Sequence, residues 1–484
     1  MPAVFHSRKT LSENGIIEKI MSQAGYKTIF AIATPPGRSA IAVIRISGPL
    51  AGAAPELFGV ACPLARRFSV VRLVLDQRVI DQVILLFMKA PFSSTGEDVC
   101  EIHCHGSRAV IDVLLARLGT EEGFAMAQPG EFTRRGFMNG KMDLSGVEGL
   151  ADLIEAETTT QLHQAWAQID GALRAPVMAW RGELVGIAAQ LEALIDFADE
   201  DLPASVESAL RTSTGELQST LARHLDDGGA GELVRDGVTI ALIGPVNVGK
   251  STILNALAGR SAAIVSDEAG TTRDIIQIRL DLGGVPATIL DTAGIRDESG
   301  KIEAEGIRRS VEAAGFANLV LVILDGSDPA WPAACNKIDQ LTGQPKFYIL
   351  NKADQGLSAP NATASGDMIS ISAKDPADIE TLIERLAKLL VPLNHSDASV
   401  IITRQRHRHA CQFAASQFDR VALRLSRIQA FALLRASLSL AQRLHALHRH
   451  QRTPPQVSRA THPHHSACRA FAGYHRCCVS RLQA

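Results

Sequence analysis

One short segment, Gly244 to Ser251, constrains the fold of this chain more than any other feature of the sequence. It reads Gly-Pro-Val-Asn-Val-Gly-Lys-Ser and has the spacing of a phosphate-binding P-loop. An apolar run at 238–243 predicts a buried strand before it, and apolar residues at helical spacing follow it from Thr252. Glycines let backbone N–H groups turn toward phosphate oxygens, and the N-terminus of a helix adds its positive dipole end. A chance match is the alternative, but the flanking strand and helix favour a nucleotide-binding α/β domain.

Length and composition bound what else the chain contains. At 484 residues it is too long for one core, so we expect about three domains. Its 46% hydrophobic and 21% charged residues are ordinary for a globular protein, and a net charge of -2 predicts no general attraction to nucleic acid. The eight cysteines form no disulfide framework, and no apolar run approaches the roughly 20 residues that span a bilayer. Since residues 1–27 also lack a signal-peptide core, we expect a cytoplasmic protein with no membrane partner.

The patterns along the chain predict a multidomain fold. Residues 1–27 are polar and aperiodic, which indicates a disordered extension, and residues 28–143 predict an α+β domain. Residues 144–236 are helical in pattern, residues 237–393 contain the P-loop and predict an α/β domain, and residues 394–484 predict a second helical part of atypical composition. In the first domain the patterns predict strands at 28–33, 41–46, 79–88 and 98–103 and a helix at 108–118.

Residues that could bind phosphates and Mg²⁺ follow the P-loop in order. The Ser251 hydroxyl is placed to bind Mg²⁺, and a threonine in the loop 265–274 can supply a second oxygen. Asp291 ends a predicted strand and suits a water-mediated contact to the metal, while the Gly294 N–H can sense the terminal phosphate. Ile295 then stands where a water-orienting glutamine is common, so hydrolysis must use another residue. The residues expected at the phosphates and the metal are Asn247, Val248, Gly249, Lys250, Ser251, Thr252, Ser266, Asp267, Glu268, Ala269, Gly270, Thr271, Thr272, Asp291, Thr292, Ala293 and Gly294, with Ser251 and Thr272 as the Mg²⁺ ligands.

Two motifs at later strand ends predict guanine as the base. The Asp354 carboxylate can accept both N1–H and the 2-amino group of guanine, donors that adenine does not present in this pattern. A backbone N–H of the segment 372–374 can then contact the guanine oxygen. The segment Asn336-Lys337-Ile338-Asp339 has the same Asn-Lys-x-Asp pattern as residues 351–354 but follows no predicted strand, so we interpret it as a chance match. The residues expected at the base are Asn351, Lys352, Asp354, Ser372, Ala373 and Lys374.

Charged and histidine residues of the first domain allow two interpretations. Arg45 interrupts an apolar strand, Glu101 lies at a strand end, and Lys141 lies in a turn. An ion pair or a solvated strand face is the ordinary explanation for such charges, and a ligand site is the other. His103 and His105 could suggest a metal, but a ligand set with suitable spacing is missing, so a structural role is favoured.

With these motifs placed, the chain resembles the MnmE (TrmE) family of tRNA modification GTPases. The resemblance covers about residues 28–408 and depends on three segments of the first domain and on the domain order. That order is an N-terminal domain, a helical domain, and a GTPase domain inserted into the helices. The three segments are Ala33-Thr34-Pro35-Pro36-Gly37-Arg38, Thr95-Gly96-Glu97-Asp98-Val99 and Pro129-Gly130-Glu131-Phe132-Thr133-Arg134-Arg135.

The resemblance implies a K⁺-activated GTPase that, with the flavoprotein MnmG, modifies C5 of the wobble uridine in certain tRNAs. In the family the N-terminal domain forms a homodimer and binds 5-formyltetrahydrofolate as the one-carbon donor. Arg45, Glu101 and Lys141 fall on folate-contacting positions of the family, which favours the ligand interpretation over the ion pair. The family's catalytic acid corresponds to Glu303, in place of the missing glutamine. The implied K⁺ ligands are Asn247, Ser266 (usually Thr), Glu268 through its carbonyl (usually apolar) and Thr271.

Two rival functions stay open. One is a ribosome-assembly GTPase that binds RNA and modifies nothing, but no KH-like Gly-x-x-Gly segment in a basic context follows the nucleotide domain. The other is a GTP-binding remnant that has lost its modifying function.

The remnant hypothesis comes from the last part of the chain. Residues 404–484 contain fourteen Arg and nine His, but one acidic residue, Asp419, and no Lys, a composition that a wrong reading frame of GC-rich DNA produces. The C-terminal Cys-x-Gly-Lys of the family is also absent. We therefore expect GTP hydrolysis without completed tRNA modification. Alternatives are a metal site among the His and Cys residues of 462–478 and an Arg-rich helix at 421–447 that lies on RNA phosphates.

Overall fold

The computed structural model of the chain describes residues 27–196, 204–226, 229–260, 276–291, 315–340, 343–357, 367–390 and 402–424. The predicted extension before residue 27 lies outside these ranges, as does most of the atypical stretch. Among the described helices, none has both the length and the apolar character needed to cross a bilayer.

The first domain contains a six-stranded sheet with the strand order β3-β4-β5-β2-β1-β6. Its neighbours pair antiparallel, except that β1 and β6 run parallel. Helix α1 covers one face, and its Leu114 and Leu118 join Phe30, Ile44 and Ile102 in the core. The elements are β1 (Thr28–Ile32), β2 (Ser39–Ser47), β3 (Phe68–Leu75), β4 (Arg78–Met88), β5 (Val99–Gly106), α1 (Arg108–Gly119), β6 (Phe124–Met126) and α2 (Glu131–Met138), with a 3₁₀ turn at Ala54–Phe58.

The predicted strands and helix of this domain are all present, but three elements were not foreseen. These are the edge strands β3 and β6 and the helix α2. Strand β3 exposes Phe68 and Val70, 71% and 57% accessible, while Leu73 on its other face is buried in the core, so apolar residues occur on both faces of this strand. An edge strand is paired on one side only, and its sequence is accordingly less constrained.

The described residues of the first helical part form five helices, and side-chain caps account for the start of two of them. The Asp143 carboxylate accepts a hydrogen bond from Gly146 N at 2.8 Å and begins α3. Thr158 and Gln161 form a reciprocal capping box that begins α4. The helices are α3 (Leu144–Glu155), α4 (Thr159–Ile169), α5 (Arg174–Asp196), α6 (Ala204–Leu225) and α7 (Ala230–Asp236).

The nucleotide-binding domain is built on a second six-stranded sheet, ordered β12-β11-β10-β7-β9-β8. All its neighbours are parallel except β8, which pairs antiparallel with β9. In such a sheet ligands bind beyond the carboxyl ends of the strands, where the P-loop follows β7. The elements are β7 (Val238–Ile243), α8 (Lys250–Ala258), β8 (Ile276–Leu282), β9 (Val285–Asp291), β10 (Leu319–Asp325), α9 (Trp331–Asp339), β11 (Lys346–Asn351), β12 (Asp367–Ser370) and α10 (Pro376–Leu390), with a 3₁₀ turn at Ala353–Gln355.

The last described helix, α11 (Gln405–Arg424), returns the chain to the helical part. Its Cys411, Ala414 and Phe418 are buried in one core with Trp180 and Leu217 of α5 and α6. The stretch of atypical composition begins at residue 404, and α11 lies at its start, where these side chains pack in the core of the helical part. The rest of the stretch, from residue 425, lies outside the described residues.

A carboxylate of α3 holds both ends of the inserted domain. Asp152 Oδ1 accepts from Arg235 Nε at 3.0 Å, just before β7, and from Arg404 Nη2 at 2.8 Å, just before α11. The chain therefore leaves the helices and returns to them at neighbouring points.

Further ion pairs surround this junction. Glu148 contacts Arg406, and His407 Nε2 lies 3.5 Å from Glu148 Oε2. Arg408 Nε donates to Glu232 Oε2 at 3.0 Å. Because these charges are mostly buried, pairing is what makes their burial tolerable.

The turn between β8 and β9 is a second contact between the two domains. Thr158 Oγ1 donates to Gly284 O at 2.8 Å, and Arg279 pairs with Glu157. Gly284 has φ +96°, and a Cβ there would lie 2.0 Å from Thr160 Oγ1, so both the conformation and the close approach require glycine.

Candidate functional site

The P-loop between β7 and α8 is packed so closely that its glycines cannot be replaced. A Cβ on Gly244 would lie 2.1 Å from Ile323 O of β10. Gly249 has φ +97°, and a Cβ there would lie 2.3 Å from Asn351 Nδ2. The loop is therefore held against the ends of β10 and β11, with the N-terminus of α8 opening from it. This arrangement fits a phosphate group, which needs backbone N–H donors and a helix terminus.

The polar side chains of the loop lie at its surface. Lys250 Nζ donates to Gly244 O at 2.8 Å and to Pro245 O at 2.7 Å, so it reaches back over the loop. Ser251 is exposed at the start of α8, and Asn247 is exposed with φ +61°. A serine hydroxyl and an asparagine amide oxygen are suitable donors for Mg²⁺ and K⁺ respectively.

The side chain of Asn351 joins the P-loop to both base-recognition motifs. Its Nδ2 donates to Val248 O at 2.8 Å, and its Oδ1 accepts from Ala373 N at 3.0 Å. Asn351 is 3% exposed, and both ends of its amide are paired, as buried amides require. The sequence predicted Asn351 as a base contact but gave no sign of this bridging role.

The predicted guanine-recognition residues lie together at the same edge. Ser372 Oγ donates to Asp354 Oδ1 at 3.0 Å, and Lys374 Nζ lies 3.6 Å from Asp354 Oδ2. The Asp354 side chain is 40% exposed, not buried, so a bound base would itself have to cover it. Lys352 has φ +65°, and its Nζ lies 2.6 Å from Asp325 Oδ2 at the end of β10. Asp325 was not singled out in the sequence.

The similar motif at 336–339 has a different environment. It occupies the last turns of α9, and its Asp339 contacts the Tyr348 hydroxyl and lies 3.5 Å from Lys346 Nζ. It does not follow a strand, in agreement with its interpretation as a chance match.

Part of the predicted site lies outside the described residues and stays a prediction. Asp291 ends β9 beside Leu242 of β7, as a strand-end acid should. The remaining predicted phosphate, metal and catalytic residues lie outside the described residues; they are Ser266, Asp267, Glu268, Ala269, Gly270, Thr271, Thr272, Thr292, Ala293, Gly294 and Glu303.

In the first domain, the structure joins two of the three predicted folate residues. Arg45 and Glu101 are directly opposite on β2 and β5, and Arg45 Nε and Nη2 both lie 2.8 Å from Glu101 Oε1. The Arg45 guanidinium also lies 5.8 Å from the ring centre of Phe132. Lys141 Nζ instead donates to Pro91 O at 2.8 Å. Their ion pair is by itself a sufficient reason for an arginine on β2 and a glutamate on β5.

The two histidines of β5 each contact a carboxylate. His103 Nε2 lies 3.1 Å from Glu101 Oε2, and His105 Nδ1 lies 2.7 Å from Asp81 Oδ1. Within the described ranges, no three His, Cys, Asp or Glu side chains are grouped as a metal site would require.

Arg135, from the third segment behind the resemblance, ties this domain together. It is 8% exposed and donates to Glu97 Oε2 at 3.1 Å, Glu131 Oε1 at 3.0 Å and Lys27 O at 3.0 Å. It thereby joins the start of β1, the loop before β5 and the helix α2. The sequence marked the segment as distinctive without showing that this arginine is structural.

Two family models match the chain, and their descriptions agree. Residues 28–141 match the GTP-binding protein TrmE N-terminus, and residues 144–449 match the MnmE helical domain. The second match includes α11 and continues past residue 404, which agrees with the packing of that helix.

Relatives named tRNA modification GTPase MnmE cover most of the chain. The protein from Parvibaculum lavamentivorans is 43% identical over 86% of this chain and 94% of its own length. Those from Paramagnetospirillum magneticum and Rhodospirillum rubrum are 44% and 42% identical, over 81% and 82% of this chain and 89% and 90% of their own lengths. A solved structure of Era with MgGDPNP and ribosomal RNA aligns with 31% of this chain and 56% of its own, at 23% identity and a TM-score of 0.25, too low to support an inference. The family models and the relatives together show that this chain belongs to the MnmE family of tRNA modification GTPases.

Proposed function

We propose that this chain is a K⁺-activated GTPase that modifies C5 of the tRNA wobble uridine together with the flavoprotein MnmG. The observation that supports it best is the side chain of Asn351, which joins the P-loop to both guanine-recognition segments. In this proposal residues 28–143 form the folate-binding, dimerising domain and residues 237–393 the GTPase domain, inserted between helical parts at 144–236 and 394–484.

The described residues explain how the nucleotide would be held. Asp354 accepts the two guanine donors, and one backbone N–H of the segment 372–374 donates to the base oxygen. The N–H groups of Ser372 and Ala373 already donate to Asp378 Oδ2 and Asn351 Oδ1, so Lys374 is the residue of this segment that can make the contact. The amides of the P-loop and the N-terminus of α8 surround the phosphates, and Lys250 moves from the loop carbonyls to the outer phosphates. Ser251, with Thr272, would hold Mg²⁺ when the metal is bound.

The catalytic residues of the proposal are inferred from sequence position. Glu303, twelve residues beyond Asp291, orients the attacking water in place of a glutamine. K⁺, when bound by Asn247 and the carbonyl and hydroxyl oxygens of Ser266, Glu268 and Thr271, supplies positive charge beside the phosphates.

The test of this mechanism separates binding from turnover. Glu303→Ala should reduce kcat at least about 100-fold and leave the affinity for GTP nearly unchanged, because the group acts only in the transition state. If affinity falls in step with kcat, the catalytic residue is another one.

The choice of base and of cation can be tested in the same assay. Asp354→Asn should weaken GTP binding and favour xanthine nucleotides, whose 2-oxo group accepts from the new amide. Hydrolysis should be faster in K⁺ than in Na⁺ at equal ionic strength, and equal rates would remove the K⁺ assignment.

The first domain is proposed to bind 5-formyltetrahydrofolate and to form the homodimer. Arg45 and Glu101 are a charged pair with one partner partly exposed, at 33%, so a ligand can reach the guanidinium. Calorimetry with 5-formyltetrahydrofolate tests this directly, and the absence of heat at high ligand concentration would remove the site.

A nucleotide-binding remnant is not favoured as the alternative. The helical match that includes α11 continues to residue 449, beyond the point where the composition argument began the atypical stretch. Restoration of wobble-uridine modification by this chain, in cells that lack the activity, would decide between the two.

A further inference from the structure

Asp325 lies beside the base-recognition loop without belonging to any motif of it. It is the last residue of β10 and is in register with Asn351 of the parallel neighbour β11. Its Oδ2 lies 2.6 Å from Lys352 Nζ, and its Oδ1 accepts from Ser327 N at 3.0 Å and from Ser327 Oγ at 2.6 Å. Both carboxylate oxygens are therefore engaged, and the side chain has one fixed orientation toward Lys352.

Lys352 needs support from its surroundings because of its backbone conformation. Its φ of +65° lies in the left-handed region, which a residue other than glycine adopts only where neighbouring contacts enforce it. This turn sets the directions of Asn351 before it and Asp354 after it. If the turn relaxed, the bridge from Asn351 to Val248 and Ala373 and the aim of Asp354 would both change.

The backbone around Asp325 is fitted to the same loop. Gly326 N donates to Asn351 O at 2.8 Å, and a Cβ on Gly326 would lie 2.7 Å from Leu357 Cδ2. The segment 325–327 thus contacts the recognition loop through both its backbone and its carboxylate.

We propose that Asp325 is a positioning residue for guanine nucleotides, which holds Lys352 in its left-handed turn so that Asn351 and Asp354 face the base. This rests on the proposed function, in which the segment 351–354 recognises guanine. Asp325 does not contact the base in this proposal. It acts through Lys352, whose ammonium it fixes at one point beside the site.

Burial by itself would raise the pKa of Asp325, but hydrogen bonds from Lys352 and Ser327 and the Lys352 charge hold it below its usual range. The carboxylate is therefore ionised at neutral pH, as the ion pair with Lys352 requires.

The first experiment measures binding of a fluorescent GDP analogue and steady-state hydrolysis in the full chain. Asp325→Asn keeps the shape and removes the charge, and we expect affinity to fall about tenfold, with a raised KM and unchanged kcat at saturating GTP. Asp328→Asn is the matched control, since Asp328 is an exposed carboxylate of the same segment whose Oδ1 accepts from Ala330 N at 2.8 Å. It should bind the analogue as the unaltered chain does.

A double-mutant cycle separates positioning from general support of the fold. In Lys352→Gly the turn needs no enforcement, because glycine adopts this conformation freely, so adding Asp325→Asn should cause no further loss of affinity. Lys352→Met tests the pair from the other side, and we expect about the same loss as in Asp325→Asn. If circular dichroism shows that Asp325→Asn does not fold, Lys352→Met is used in its place.

Each outcome is decisive. An unchanged affinity in Asp325→Asn, or an equal loss in the Lys352→Gly background, would overturn the positioning role while leaving the proposed function intact. If the unaltered chain does not bind the GDP analogue, the proposed function falls, and this proposal falls with it.

Discussion

The two sheets of this protein place their candidate site residues in different ways. In the nucleotide-binding domain, loops after β7, β11 and β12 meet at one edge, and Asn351 connects them through hydrogen bonds of 2.8 and 3.0 Å. In the first domain, Arg45 and Glu101 lie opposite one another within an antiparallel pair, and Lys141 bonds to a separate loop.

This difference determines how far each site can be recognised from sequence. Parallel strands bring their carboxyl ends together, so a motif that follows an apolar run predicts its own place in space. An antiparallel pair carries no such direction, and a charge in one strand gives no indication of its partner in another. The ligand site of the first domain was consequently assigned only through a resemblance to a family.

The largest effect is expected from removing the Asn351 side chain, which connects the loops at the edge of the nucleotide-binding sheet. Asn351→Ala leaves Val248 O and Ala373 N without their partners in a buried position, and each such loss costs about 1–3 kcal/mol. We expect the affinity for guanine nucleotides to fall about 100-fold, measured with a fluorescent GDP analogue.

Asn318 provides the control for that substitution. Its Oδ1 accepts from Thr239 N at 2.8 Å at the opposite end of the same sheet. Asn318→Ala should therefore leave nucleotide affinity unchanged, and equal losses in the two variants would mean that the domain is merely destabilised.

A substitution of intermediate effect tests the ion pairs where the GTPase domain joins the helical part. Burial by itself would raise the pKa of Glu148, but hydrogen bonds from His407 and Arg406 and the charges of Arg406 and Arg404 lower it to about 2, from 4.5. Because the folded pKa is the lower one, this carboxylate stabilises the fold above pH 4.5 and loses that contribution as the pH falls toward 2.

Chemical denaturation at a series of pH values measures this contribution. We expect the difference in unfolding free energy between the unaltered chain and Glu148→Gln to be on the order of 2 kcal/mol at neutral pH and to shrink in acid. A difference that does not depend on pH would show that Glu148 acts through packing and not through its charge.

The smallest expected effect concerns the first sheet. Glu101→Gln removes one charge of a partly exposed pair, so we expect about a fivefold change in the affinity for 5-formyltetrahydrofolate, and none in GTP hydrolysis. Asp81→Asn is the matched control, since Asp81 also pairs with a histidine of β5. A loss of GTPase activity in Glu101→Gln would contradict the separation of the two sites.

Sequence reasoning located the elements that carry strong local patterns and missed those defined by distant contacts. The P-loop and the segment 351–354 lie where the strand–loop–helix pattern predicted them. The bridging role of Asn351 depends on partners 103 and 22 residues away in sequence, and no spacing rule indicates such a contact.

The packing of α11 was missed for a different reason. Composition was averaged over the whole stretch to the end of the chain, and the average hid a local pattern. His407, Cys411, Ala414 and Phe418 recur at helical spacing and are all buried. A periodicity test over this one helix would have separated it from the Arg-rich sequence that follows.

The shared carboxylate of Asp152 has a consequence for the architecture as a whole. Arg235 and Arg404 reach the same oxygen, so the two polypeptide links of the GTPase unit lie within two arginine side-chain lengths of one another. A domain attached in this way is inserted through two adjacent links. Joining the two ends of the helical part directly would therefore cost little chain entropy and would leave its helices in place. Replacing the GTPase domain with a short peptide between Arg235 and Arg404 should therefore yield a helical domain that folds by itself.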